Sequence, residues 1–416
     1  MEKLSERQWK RLDVVRRLEA GALTVEEAAR VLGLSRRQMQ RLRRSVAKKG
    51  RAGVVHGNAG RAPKNRLTKR VRDRIVRLAK TKYPRFNDQH LTEKLVEVEK
   101  MSVSRASVRR ALREAGVAAV RRRRAPKHRR RRDRKAQAGL MILWDGSRHD
   151  WLEERGPMLC LMGALDDATS ELLPGAHFVE QECAAGYLRV LRAIVENKGI
   201  PHSVYQDRHG SLRRNDDHWT LEEELRGEQE PTQVGLALRA LDIEPIFALS
   251  PQAKGRVERL WGTLQDRLTS ELRLAKARTL AQANVVLRRY LQDHNRRFAV
   301  EASDATPAWR PVRAGLDVPR ACSFCYEATV QNDNTVRLDG VVIDIPPGPR
   351  ARSYARARVE VRQFLDRSWH VYHRGEHIAA QAPTVMGELR TRKRRKRSAA
   401  SMRVRSAVKR PSSSLP

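Results

Sequence analysis

The stretch Ser250-Pro-Gln-Ala-Lys-Gly-Arg-Val-Glu-Arg-Leu-Trp261 constrains this chain more than any other. It follows an apolar run, Ile246-Phe247-Ala248-Leu249, that reads as the end of a strand. A Pro and a Gly interrupt the run. Val257, Leu260, Trp261, Leu264 and Leu268 then recur at helical spacing, so a helix with one buried face is expected to about Leu274. Glu258 falls in its first turns, at the boundary of the apolar stripe. A carboxylate there is either a solvated surface charge or a group aimed into a site at a sheet edge.

Two upstream aspartates favour the second reading. Leu140-Met-Ile-Leu-Trp144 reads as a strand and ends at Asp145; His202-Ser-Val-Tyr-Gln206 reads as a strand and ends at Asp207. Turn-forming residues follow both, Gly146-Ser147 and Arg208-His209-Gly210. Ligand groups converge at strand ends on one edge of an α/β sheet. Three carboxylates gathered there repel one another unless cations lie between them. Hard divalent ions meet that need, and Mg²⁺ is the usual choice where the substrate brings phosphates. Two such ions, roughly 4 Å apart, can clamp both oxygens of an in-line phosphoryl transfer.

The order Asp145, Asp207, Glu258 and the local wording resemble the DDE transposase and retroviral-type integrase superfamily, and within it the bacterial insertion-sequence transposases of the ISNCY group. The matching words are Trp144-Asp-Gly-Ser-Arg-His-Asp-Trp151, Leu165-Asp-Asp-Ala-Thr169, Tyr205-Gln-Asp-Arg-His-Gly-Ser211 and Ser250-Pro-Gln-Ala-Lys-Gly-Arg-Val-Glu258. The resemblance spans about residues 20–380. The gap from Asp207 to Glu258 is longer than in compact members, which points to an insertion near 213–233.

The charge balance agrees with such a partner. With 86 Lys and Arg against 48 Asp and Glu, the 416-residue chain carries a formal charge of +38. Such a surface repels itself and seeks a polyanion, and nucleic acid gives affinity through counterion release. No run of about 18 apolar residues exists, and Met1-Glu-Lys-Leu-Ser-Glu6 lacks a signal-peptide core, so no membrane association is expected. Cys160, Cys183, Cys322 and Cys325 are too few for a disulfide framework. Cys322-Ser-Phe-Cys325 has metal-like spacing without a second pair nearby. All four read as thiols in a reducing compartment.

Taken in order, residues 1–50 read as a helix-turn-helix domain. Trp9, Leu12, Val15 and Leu18 form one helical face; Thr24 with Glu27 makes a capping box; Gly33-Leu34 turns; Ser35 caps a third helix through Arg44. Arg36, Arg37, Gln38, Arg41 and Arg44 lie off its apolar face and can bond phosphates or base edges. Residues 51–66 are a basic linker. Residues 67–118 form a second helix-turn-helix unit, with Thr68 capping a helix through Lys80, a helix over Leu91–Val98, and Ser104 capping a helix that carries Arg105 and Arg109. Residues 119–137 are another basic linker, with eleven Lys or Arg among residues 119–135; a solvated linker and a nuclear-import signal both fit.

Residues 138–300 read β-β-β-α-β, an insertion, then α-β-α-α, with strands over 158–165 and 172–179 and a helix over 182–198. That order describes a ribonuclease H-like core, which the resemblance also implies. Asp166 and Asp167 are rival carboxylates that a strand-end turn also explains. His149, Asp150 and His209 could order a metal-bound water or bond within their turns. The acidic run Glu222–Glu230 could fold over the basic surface or stay solvated. From 325 to 380, six short strands separated by turn signals suggest a small SH3-like β-barrel. Residues 384–416, with eleven Lys or Arg, read as a basic disordered tail.

The resemblance implies a transposase that binds double-stranded DNA, at transposon terminal inverted repeats and at target DNA, and catalyses strand cleavage and strand transfer. Asp145, Asp207 and Glu258 would be catalytic and would hold two Mg²⁺ ions, with Mn²⁺ able to substitute. Lys254 and Arg259 flank Glu258 and are placed for phosphate. A homo-oligomer on DNA and a bacterial cytoplasmic, nucleoid-associated location are expected. The rival is a non-catalytic DNA-binding regulator derived from a transposase, which has no need of the three carboxylates.

Overall fold

A computed structural model describes residues 4–59, 66–120, 132–214, 219–248, 255–385 and 389. Residues 60–65 and 121–131 of the expected basic linkers fall outside these residues, as does most of the C-terminal tail; residues 51–54 are not linker but part of a 3₁₀ turn, with Val54 in the core of the first unit. The chain divides into two compact units, Met1–Arg74 and Ile75–Pro416.

The first unit packs α1 (Glu6–Glu19), α2 (Val25–Leu32) and α3 (Arg36–Lys49), followed by a 3₁₀ turn at Gly50–Val54. Each helix opens on a capping box: Ser5 with Gln8, Thr24 with Glu27, Ser35 with Gln38. Two orphan donors are thereby satisfied at each start. Leu12, Val15, Leu18, Ala28, Met39 and Val46 form the core. Trp9, expected to face inward, is 45% exposed. The Arg51 guanidinium covers its ring at 4.7 Å, so a cation–π contact stands in for burial.

The second unit contains most of α4 (Lys69–Thr81), then α5 (Asp88–Glu97) and α6 (Arg105–Glu114). The sequence placed the middle helix at Leu91; it starts three residues earlier because the Asn87 side chain accepts from the His90 amide. A mixed sheet follows, built from β1 (Met141–His149), β2 (Leu159–Asp166), β3 (His177–Val179), β4 (Ser203–Gln206) and β5 (Glu244–Phe247). Its order is β3-β2-β1-β4-β5. β1 and β2 pair antiparallel, as do β2 and β3; β1, β4 and β5 run parallel.

β3 is shorter than the expected 172–179 because Pro174 and Gly175, the latter at φ +87°, break the run. Asn284 and Asn295 replace the missing ladder bonds, each amide both donating to and accepting from the backbone, at Phe178 and Leu172 respectively. One face of the sheet packs on α7 (Ala184–Asn197) and α9 (Gln233–Ala240). The other face packs on α10 (Gly255–Leu274) and α11 (Leu280–Phe298). α8 (Leu221–Arg226) lies in the insertion and α12 (Val318–Ala321) follows α11.

α5 is fastened along α10 and α11. His90 meets Glu271 at 2.7 Å, Lys94 meets the same carboxylate at 2.7 Å, and Arg267 donates to both oxygens of Glu93 at 2.7 and 3.0 Å. Arg297 reaches Glu97 at 2.6 Å. These charges lie three, four and seven residues apart on α5, one helix face.

The expected C-terminal barrel is not closed. β9 (Arg358–Gln363), β10 (Trp369–His373), β11 (Glu376–Gln381) and β6 (Phe324–Thr329) form an open antiparallel sheet, β11-β10-β9-β6. β7 (Thr335–Leu338) and β8 (Val341–Asp344) pair only with each other. Pro346 and Pro347 follow β8 and cannot donate to a ladder, so the ribbon covers the sheet without joining it. Gln233 of α9 accepts from the Cys325 amide and donates to its carbonyl, at 2.7 and 3.0 Å, which occupies part of the β6 edge. No helix among the described residues is long and apolar enough to cross a membrane.

His294 is an acid-sensitive group built into the fold. It is 1% exposed, lies between the Tyr290 and Phe298 rings, and has no hydrogen-bond partner for either ring nitrogen among the described residues. Burial, with Arg267 nearby, pushes its imidazole down to about 4. The unfolded chain takes up that proton from about pH 6.5 while the folded chain resists it, so stability is lost as pH falls from about 6.5 towards 4. His294→Leu is expected to flatten the decline of melting temperature across that window. An unchanged decline would place the sensitivity elsewhere.

Candidate active site

The site is built from the register of two strands. β1 and β4 pair Met141 with Ser203, Ile142 with Val204 and Leu143 with Tyr205. Asp145 and Asp207 each lie two residues beyond the last pair, so the parallel register sets them side by side at this edge. Contrary to the sequence reading, β1 does not stop at Trp144. It continues to His149 because β2 pairs with it all the way, His149 opposite Leu159. Directly beneath the aspartates, the Trp144 indole donates to the Gln206 side chain at 2.9 Å, and both residues are buried. The Trp144 ring packs on Tyr187 of α7 at 5.1 Å.

Each aspartate is also held from above. The His209 amide donates to Asp207 Oδ1 at 2.9 Å, closing the turn after β4. The Trp261 indole donates to Asp145 Oδ2 at 3.1 Å, and Gln265 donates to the Ser147 hydroxyl at 3.2 Å. α10 therefore lies across β1 at Asp145. Glu258 is exposed in the first turn of that helix, three residues before Trp261 and so about 4.5 Å of helical rise away. A carboxylate at a helix N-terminus is favoured by the macrodipole.

Two carboxylates side by side, one within β1 and one just past β4, supply the hard oxygen donors that a divalent ion takes. Among the described residues, however, no group of three or more His, Cys, Asp or Glu side chains is close enough together to hold a metal ion. Asp145 and Asp207 are brought to one edge; Glu258 is not brought into a three-ligand group with them. Residues 249–254, which lead into α10 and include Lys254, lie outside the described residues. Arg259 is exposed on the first turn of α10.

The rival aspartates are engaged elsewhere. Asp166 is buried and accepts from the amides of Gly139, Ala168 and Thr169 and from the Thr169 hydroxyl. Burial pushes its carboxyl up and those donors oppose the shift. Asp167, also buried, is met by Arg132 at 2.5 Å, by Arg256 and by the Lys135 amide at 2.8 Å. Arg256 is the second residue of α10, so this carboxylate pins the start of the helix that carries Glu258. Asp150 accepts from the Glu154 amide within its own turn, and the His149 ring meets Trp151 edge-on at 5.4 Å. In the insertion, Glu223 accepts from the Glu230 and Thr220 amides and pairs with Arg214, and these backbone donors lower its carboxyl to about 2. That part of the acidic run is folded on itself.

Sequence reasoning missed Glu182, in the turn before α7. Tyr187 donates to it at 2.5 Å and His209 approaches it at 3.4 Å. The only local signal was a Glu five residues before a Tyr at a helix start.

On α3, Arg36, Arg37, Gln38, Arg41 and Arg44 are all exposed. Arg36 pairs with Glu26 at 3.0 Å, and Gln38 Oε1 accepts from the Ser35 amide in the capping box. Arg105 and Arg109 are exposed on α6.

Residues 11–73 match the winged helix-turn helix family. Over 314 residues the chain is 36% identical to the putative transposase y4bF of Sinorhizobium fredii (strain NBRC 101917 / NGR234), covering 76% of this chain and 67% of that protein. Over 330 residues it is 32% identical to the transposase for insertion sequence IS1202 of Streptococcus pneumoniae, covering 68% of this chain and 67% of that one. Solved structures give distant likenesses. A simian T-cell lymphotropic virus intasome in complex with PP2A regulatory subunit B56 gamma is 13% identical with a TM-score of 0.31, over 74% of this chain and all of that one. The HTLV-2 integrase catalytic core domain in complex with magnesium is 14% identical with a TM-score of 0.25, over 36% of this chain and 85% of that one.

The Trp144–Gln206 bond generates a test of the site's frame. Trp144→Phe keeps an aromatic ring and leaves the buried Gln206 amide oxygen without its donor, which should cost about 1–3 kcal/mol of stability. Chemical denaturation checks the loss. A variant as stable as the parent would show that this bond does not hold β1 to β4.

Proposed function

Because the chain belongs to the insertion-sequence transposases, we propose that its α/β core is a ribonuclease H-like nuclease and strand transferase whose catalytic carboxylates are Asp145, Asp207 and Glu258. The observation that carries this reading is the parallel register that sets Asp145 beside Asp207, with α10 fastened over Asp145 through Trp261. The sheet order β3-β2-β1-β4-β5, three antiparallel strands followed by two parallel ones, supports the assignment of the core.

In this reading the substrate is double-stranded DNA, at the terminal inverted repeats and at the target, and the cofactor is Mg²⁺, with Mn²⁺ able to replace it. Bound as a pair, such ions supply the charge neutralisation and Lewis acidity of in-line displacement at phosphorus. The chain's own groups do the positioning. Asp145 and Asp207 present oxygen donors from adjoining strands, each held by a separate hydrogen bond, and Glu258 joins them from the first turn of α10. Arg259, with Lys254, neutralises phosphate next to that turn. α3 contacts the terminal sequence through Arg37, Arg41 and Arg44, while Arg36 gives up Glu26 to do so. Arg105 and Arg109 of α6 add a second DNA surface. The active form is a homo-oligomer on DNA.

A non-catalytic regulator would need α1–α6 and no aligned carboxylates. The buried frame beneath Asp145 and Asp207 speaks for the enzyme.

The test uses the full chain, Mg²⁺ and end-labelled duplexes carrying the element's terminal repeats. Glu258→Gln keeps the side chain's shape and removes its charge. It is expected to reduce 3′-end cleavage and strand transfer together by on the order of a hundredfold or more, with gel-shift affinity retained. Asp145→Asn and Asp207→Asn should match it, and combining them should add little, because members of one unit are not additive. Normal cleavage by the Gln variant would remove Glu258 from the site.

A further inference from the structure

We propose that the core carries an anion pocket for one DNA backbone phosphate, set on the flank of α10 that faces away from Asp145 and walled by Arg134, Arg256, Arg259, Ser170 and His294. The inference rests on the reading of the chain as an enzyme acting on DNA, and adds to it a second contact with the substrate, separate from the carboxylate edge.

The cavity, of about 230 Å³, lies between α10, the C-terminal end of α11 and the turn after β2. The guanidiniums of Arg134, Arg256 and Arg259 line it, and among the described residues no Asp or Glu does. The rest of the wall is Ser170, Thr263, the His294 ring and apolar side chains. Cations set in a partly apolar hollow attract an anion strongly, because less water screens them. The volume is below that of ordinary small-molecule sites, roughly 300–1,000 Å³. It suits a single phosphate group rather than a whole nucleotide. Arginine's planar fork takes two phosphate oxygens at once, and a chain of formal charge +38 seeks a partner that carries phosphates in series.

The polar wall is held in place before a ligand arrives. Arg134 Nη1 donates to the Ser170 hydroxyl at 2.7 Å and to the Ala168 carbonyl at 3.0 Å, both neutral acceptors. A serine oxygen that accepts such a bond still has a proton to donate. Arg256 pairs with the buried Asp167, which also receives Arg132, so one carboxylate serves two guanidiniums. His294 is the independent sign of a missing ligand. It lines the cavity, is buried, and neither of its ring nitrogens has a hydrogen-bond partner among the described residues. A neutral imidazole has one N–H to donate. A phosphate oxygen, directly or through one water, gives it an acceptor.

The pocket's place on α10 separates it from the chemistry. At about 100° per residue, Arg256 and Thr263 project roughly 160° and 140° round the helix from Glu258. Arg259 projects between the two faces. A helix width, about 10 Å, therefore lies between the pocket and the carboxylate edge. The phosphate held here is not the scissile one.

The test replaces single phosphates of an end-labelled terminal-repeat duplex with neutral methylphosphonates and measures the affinity of the full chain for each duplex by gel shift. In the parent, one backbone position away from the scissile phosphate is expected to cost roughly ten- to a hundredfold, the worth of a charge-assisted hydrogen bond. In Arg134→Gln that position should cost nothing further, while every other position keeps its effect. Arg134 also braces the turn after β2, so Thr263→Glu is the second arm. The Thr263 hydroxyl donates to the Arg259 carbonyl of its own helix at 2.9 Å, so its replacement breaks no contact between elements. The added carboxylate should silence the same position. If both variants keep the parent's pattern at every position, the pocket is overturned and DNA binding stands. A parent that binds no duplex would bring down the reading of the chain as well. Inorganic phosphate distinguishes the source: if it raises the melting temperature of the parent but not of Arg134→Gln, and the methylphosphonate pattern is unchanged, the pocket takes free phosphate and the DNA assignment is overturned. An unchanged pattern with weaker self-association of Thr263→Glu would overturn it in favour of a carboxylate from a second copy.

Discussion

A hydrogen bond between two buried side chains, Trp144 and Gln206, joins two parallel strands at the level where their chemistry begins. Backbone pairing between β1 and β4 ends at Leu143 and Tyr205. The side-chain bond carries the alignment one residue further, to the threshold of Asp145 and Asp207. An indole donor and an amide acceptor sealed from water make a bond whose loss strands a polar group, so the pairing resists slippage. The remaining contacts of the site build outward from it: Tyr187 packs on the indole, and Glu182 is held by Tyr187.

α10 is the second organising element, and it serves two parts of the second unit at once. Its start is pinned by Arg256 to the buried Asp167, which also receives Arg132 from the expected second basic linker. Its first turns lie over Asp145 through Trp261. Its later turns present Asp266, Arg267 and Glu271 to Asn87, Glu93, His90 and Lys94 around α5. The helix proposed to carry a catalytic carboxylate is thus the one to which α5 is fastened.

Much of this was legible in the sequence, for local reasons. Capping residues and their partners are three positions apart, so Thr24 with Glu27 announced α2 without tertiary knowledge. Apolar runs ending in Asp145 and Asp207 marked two strands of one edge. What was not legible depends on contacts between distant segments. Glu182 is one acidic residue among 48 Asp and Glu until the β3–α7 turn is folded beside β1. Asp166 and Asp167 looked like rivals at a strand end, and only their partners show that one is satisfied by backbone amides and the other by arginines. Trp9 fitted the apolar periodicity of α1, yet spacing cannot say that Arg51 rather than a core will cover it. Strand spacing at the C-terminus suggested a closed barrel, but closure depends on hydrogen bonds between edges that a proline pair forestalls.

The central claim is that Asp145 and Asp207 share a divalent cation and that Glu258 completes their coordination. It is tested most directly by anomalous scattering from Mn²⁺ in crystals of the full chain bound to its terminal DNA. The account predicts a Mn²⁺ peak between the Asp145 and Asp207 carboxylates, with Glu258 within coordinating distance of the metal site. Strong Mn²⁺ peaks elsewhere and none between those two aspartates would contradict it.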